Sequence, residues 1–225
     1  PQVILLGSYR IDRHPLLDRG LPGYAQSPRI SALWRPLEHQ AFRASFSTAF
    51  RVPTFLESYT QIRTPVPAVN GASVLTEGDR TLKPEQLLAF ELGWRGELAR
   101  LGLEYDVAAY WNVVSNLISL SAVDPVPAAL AFDPVSGSYL LGRSTFVNQP
   151  ATYTARGAEV GVKWSVLDGL DVRFSTALQA IDSSATDGAP CGPCTQGPAV
   201  KLFLGASYRT PVNLDLGIDL AFTSS

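Results

Sequence analysis

The chain has 225 residues, 46% of them hydrophobic, and its 18 basic and 20 acidic side chains leave a net charge of −2 with no Lys/Arg run. That balance lacks the basic footprint of a nucleic-acid binder. The apolar runs are only a few residues long, far short of the roughly 20 that a spanning helix needs, and the mean hydropathy of +0.09 suits a chain whose apolar residues alternate with polar ones. Methionine is absent, and residues 1–7 lack the charged and apolar regions of a signal peptide, so the reading is that of a processed piece or fragment.

Period-2 alternation marks a half-buried strand, and it recurs along the whole sequence. Residues 3–12 and 30–36 alternate loosely. Residues 41–51 place Phe42, Ala44, Phe46, Thr48 and Phe50 on one face and Arg43, Ser45, Ser47, Ala49 and Arg51 on the other. After 86–95, the segment 101–112 sets Leu103, Tyr105, Val107 and Trp111 against Glu104, Asp106, Tyr110 and Asn112. The segments 154–165, 170–181, 200–209 and 214–222 complete nine strands, most of them near the 9–11 residues of a tilted membrane strand.

The connections alternate in length. Short turns are expected at 37–40, 96–100, 166–169 and 210–213, and long loops at 14–28, 52–84, 114–152 and 182–198. Tight turns at one rim and long loops at the other are the habit of a transmembrane β-barrel, with its turns periplasmic and its loops extracellular. Trp34, Trp94, Trp164 and Tyr208 fall on the apolar face just before the short turns, where a membrane girdle belongs, and Trp111 stands nearer the other rim. The opposite face carries Arg43, Arg51, Glu91, Glu104, Glu159 and Arg173, which in a barrel point into a polar lumen. A soluble β-sandwich binding module shares the alternation, though not the placement of the aromatic rings.

No nucleophile elbow, zincin motif or phosphate-cradling glycine loop occurs, and neither an enzyme, a metal site nor a cofactor is indicated. Cys191 and Cys194 form a CGPC motif inside a loop with no helix pattern after it, so thioredoxin-like chemistry is not expected. In an oxidising extracellular loop the pair suits a local disulfide. Binding groups concentrate in loops carried on rigid scaffolds, which puts Glu57, Tyr59, Arg63 and Arg80 forward as substrate contacts.

Three stretches resemble the barrel of TonB-dependent outer-membrane receptors. They are AFRASFSTAFRVPTFL at 41–56, LKPEQLLAFELGWR at 82–95, and FVNQPATYTARGAEVGVKW at 146–164 with Asn148, Gly157 and Glu159 at matching positions. The resemblance implies an all-β, antiparallel, up-and-down segment of about nine strands from a barrel of about 22. It implies one partial barrel domain over 1–225 with no plug domain in the sequence, embedded in the lipid of a bacterial outer membrane. The intact protein would import a scarce nutrient, such as a ferric siderophore or other metal chelate, and would work with the TonB complex through its plug. A segment of a TonB-independent outer-membrane channel is the alternative.

Overall fold

The computed structural model describes residues 2–13, 24–67, 69, 71–134, 137–185 and 197–224. In chain order the strands are β1 (Val3–Arg13), β2 (Tyr24–Leu37) and β3 (Gln40–Arg51). A short helix α1 (Phe55–Tyr59) follows, then β4 (Gln61–Pro65), β5 (Ala72–Glu77), β6 (Glu85–Leu98) and β7 (Leu103–Ser115). Next come β8 (Ile118–Leu120), β9 (Asp124–Pro125), β10 (Phe132–Asp133) and β11 (Ser138–Asn148). Last are β12 (Tyr153–Leu167), β13 (Leu170–Ser183), β14 (Val200–Arg209) and β15 (Asp215–Thr223).

Nine of these form one antiparallel wall in the order β1-β2-β3-β6-β7-β12-β13-β14-β15, so each wall strand lies beside its predecessor along the chain. The nine expected strands are these nine. The short turns follow local chemistry: Leu167 pairs with Leu170 across Asp168-Gly169, and Gly169 supplies the positive φ of 83° that a two-residue hairpin needs. Several strands run past their expected ends. β2 begins at Tyr24 because it pairs with β1 as far as Arg13, and a 3-10 turn at Ala99–Leu101 takes Leu101 out of the strand it was expected to open.

The wall register keeps the two faces apart. Trp34 pairs with Phe42, Phe42 with Trp94, and Trp94 with Val107. One position away, Leu33 pairs with Arg43, Arg43 with Gly93, and Gly93 with Ala108, which pairs with Glu159. On β1 and β2 the polar face also holds Ile4, Leu6 and Leu33, the loosest part of the pattern. Among the described residues no second sheet lies against the aromatic face: Trp34, Leu92 and Ile218 are 50%, 65% and 63% exposed. A β-sandwich would bury these residues between two sheets, so that alternative does not describe the fold.

The long connections depart from expectation. Residues 52–84 and 114–152, read as loops, carry a second, six-stranded sheet in the order β10-β11-β5-β4, with β8 and β9 also paired to β11. These strands show no clear alternation because they are short or broken by bulges, such as the register shift between Leu140 and Gly142. The buried apolar side chains of the described residues all lie in these connections: Ala72, Leu75, Leu82, Ile118, Ala131, Leu140 and Ala151.

β1 and β15 are the two ends of the wall and do not pair with each other. Each unsatisfied backbone group in hydrocarbon costs several kcal/mol. Residues 1–225 alone, reconstituted into planar bilayers, are therefore expected to give no stable unitary conductance; reproducible single channels would contradict this.

Candidate functional site

The polar face repeats one construction three times: a polar side chain reaches past a glycine-bearing strand to a partner on the strand beyond. Arg43 lies over Gly93, where an added Cβ would collide with the guanidinium stem. From there its Nε donates to Glu91 (3.1 Å) and its two terminal nitrogens donate to Asp106 (3.2 and 3.3 Å). Tyr110, Gly157 and Gln179 share one row, and the Tyr110 hydroxyl crosses the glycine to reach Gln179 Oε1 at 3.1 Å. Arg173, Gly205 and Asp219 share another, and Arg173 donates to Asp219 across it at 3.4 Å. Glu104 faces Lys163, and Lys163 faces Arg173. Glu159 joins Arg43, Asp106 and Lys201 around an open depression of about 620 Å³.

At the end of the wall that carries the long connections, the motif residues converge on a collar. Arg51 donates to both carboxylate oxygens of Glu85 (2.6 Å each) and of Glu57 (3.0 Å each). Glu57 also closes the capping box of α1 with Thr54. Glu85 Oε1 in turn accepts from the Ile118 backbone N–H at 2.8 Å. Asn148 holds the remaining strand ends: its Oδ1 accepts from Lys83 N (2.7 Å), and its Nδ2 donates to the carbonyls of Lys83 (2.9 Å) and Asn116 (2.8 Å). Asn116 can turn the chain there because Asn tolerates the left-handed region, and it sits at φ 56°.

The four expected substrate contacts divide into two kinds. Glu57 is held by Arg51 and the helix cap, and Arg63 is paired with Asp133. Tyr59 and Arg80 come together instead: the guanidinium carbon of Arg80 lies 4.6 Å from the Tyr59 ring centroid, and Phe55 stacks on the same Tyr59 ring at 5.0 Å. The sequence carries no signal for Phe55 in this group, because the five-residue α1 that brings it beside Tyr59 is too short to show a helical period.

On the aromatic face, Trp34, Phe42 and Trp94 stack in a row with centroids 5.5 and 5.6 Å apart, and Tyr105 meets Trp94 edge-on at 4.8 Å. Trp164 donates from Nε1 to the Leu101 carbonyl at 3.0 Å, and Tyr208 stands beside Leu170 at the next short turn. The register steps from Val107, which faces Trp94, down to Leu103, which faces Trp164. That stagger is what tilted barrel strands require. Trp111 stacks on Phe90 at 6.0 Å, one cluster further along the wall. Cys191 and Cys194, with their expected disulfide, lie outside the described residues. Among the described residues no group of three or more His, Cys, Asp or Glu is placed to hold a metal ion.

A next-neighbour antiparallel wall with one aromatic and one polar face, tight turns at one end and elaborated connections at the other, defines a segment of a β-barrel wall. The sequence matches the TonB-dependent receptor-like β-barrel family over residues 1–224, and the chain belongs to that family. Its members are outer-membrane receptors and transporters rather than enzymes. Over 112 residues, 50% of this chain and 14% of the relative, it is 31% identical to the vitamin B12 transporter BtuB of Vibrio vulnificus. The ferric enterobactin receptor PfeA of Pseudomonas aeruginosa superposes with a TM-score of 0.74 at 17% identity, over 99% of this chain and 30% of that one. The siderophore receptor PirA of Acinetobacter baumannii gives 0.69 at 15% identity, over 98% and 31%. The chain thus spans less than a third of these receptors.

Two outcomes follow from the geometry. Gly157→Val drives methyl groups into the Tyr110 ring and the Leu178 carbonyl, both 2.5 Å from an added Cβ. It should destabilise the intact receptor by about 1–3 kcal/mol, read as a lower urea midpoint in micelles, whereas Gly161→Ala, with only one neighbour at 3.9 Å, should be near neutral. Asn148→Ala strips partners from Lys83 and Asn116 and should cost about 1–3 kcal/mol, seen as faster protease nicking within 52–84 and 116–152.

Proposed function

We propose that this chain forms part of the wall and extracellular rim of an outer-membrane receptor that imports a scarce nutrient, a ferric siderophore or another metal chelate. The import is energised by the TonB complex acting through a plug domain of the intact protein. The observation that carries this reading is the coincidence of family membership with a two-faced wall whose aromatic rings gather beside the tight turns. In this reading Trp34, Trp94, Trp164, Tyr208 and Trp111 meet lipid, because amphipathic rings favour the membrane interface. Arg43, Arg51, Glu91, Glu104, Glu159 and Arg173 face the lumen, the tight turns are periplasmic, and the long connections, with Cys191 and Cys194, are extracellular.

Substrate contact is assigned to the Phe55–Tyr59–Arg80 stack, where the half-buried Tyr59 ring carries the exposed Phe55 ring and the Arg80 cation. Such a pair attracts a ligand that is both flat and anionic. Glu57 and Arg63 support the loop through Arg51 and Asp133.

The test is uptake by cells that carry the intact receptor and lack their own receptors for the probes. With ⁵⁵Fe-labelled siderophores and ⁵⁷Co-cobalamin as probes, accumulation of one of them is expected to depend on the receptor and to disappear when TonB is deleted. Receptor-dependent accumulation that survives loss of TonB would replace this reading with a TonB-independent channel.

A further inference from the structure

The two long connections, 52–84 and 116–152, leave the wall at different places, with β6 and β7 between them along the chain. They nevertheless join in one sheet. β5 of the first pairs in parallel with β11 of the second, from Ala72 beside Tyr139 to Glu77 beside Thr145. The Tyr139 N–H donates to the Gly71 carbonyl at 2.8 Å, Arg143 pairs with Glu77 at 3.3 Å, and Arg63 pairs with Asp133, each across the boundary between the connections.

Each connection also carries buried apolar side chains, Leu75 and Leu82 in the first, and Ile118 and Leu140 in the second. Below the sheet, the collar ties both bases to the wall and to each other: Glu85 to Ile118, and Asn148 to Lys83 and Asn116. Segments that open freely are those with few buried apolar contacts and solvent-exposed backbone hydrogen bonds. Neither connection fits that description. Lifting one away from the other would break the parallel ladder and the ion pairs that bridge the two.

We propose that the two connections form one cooperatively folded extracellular body, fixed to the wall at the collar, so that neither closes over a ligand as an independent flap. This inference rests on the shared sheet, the ion pairs across it and the collar. It holds for the intact protein whatever the cargo, and its test uses no cargo.

The experiment is hydrogen exchange followed by mass spectrometry on the intact receptor in detergent micelles. Leu140→Ala lies in the second connection. It is expected to speed exchange about ten-fold or more in 138–148 and equally in 72–77 of the first, while β12 and β13 stay protected. Acceleration confined to 138–148 overturns the proposal. The wild-type receptor gives a second reading that needs no substitution: under rising urea, 72–77 and 138–148 are expected to lose protection along one curve. Two separate curves would show two independent flaps.

Discussion

Everything distinctive about this wall hangs on cross-strand register. Side chains alternate with a period of two, so a one-residue slip would turn a strand's whole set to the other face. A slip of β3 against β6 would take Arg43 off Gly93 and put Phe42 in its place, away from Trp94. The same pairing that stacks the rings of Trp34, Phe42 and Trp94 therefore also brings Arg43 to Glu91 and Asp106. The glycines on the polar face make the register specific, since Gly93, Gly157 and Gly205 each lie on the strand between a side chain and the partner it reaches.

The molecule is held together in two different ways. The wall has no buried apolar core of its own, and its cohesion comes from the backbone ladder and from ring stacking on one face. This is the arrangement expected where lipid takes the place of a second layer. The connections above it are built like a small water-facing domain, with a packed interior and a sheet. The collar of Arg51, Glu57, Glu85 and Asn148 is where one regime hands over to the other. Arg51 suits that place because its planar guanidinium can grip two carboxylates at once.

Much of this was legible beforehand, for physical reasons. The nine wall strands announced themselves because each is long and must keep one face apolar. The turns were marked by the short spacing between neighbouring alternating segments, as at 166–169. The motif residues Arg51, Glu85 and Asn148 were visible as a family pattern, but their meeting was not, since they lie far apart along the chain. The short strands β4, β5, β8, β9 and β10 left no periodic trace over so few residues. Of the substrate candidates, Glu57 and Arg63 looked as available as Tyr59 and Arg80 because a sequence does not display the partner that occupies a side chain.

The sequence by itself determined the strand count of the wall, the two faces, the alternation of tight and long connections, and the family. These are local properties, written in the spacing of residues along each strand. Tertiary structure alone decided that two separate connections share one sheet, that three glycines serve as crossings, and that the motifs close into a collar. Each of those depends on residues 30 to 70 or more positions apart being brought within hydrogen-bond reach, as Asn148 and Lys83 are, and no local pattern encodes such a meeting.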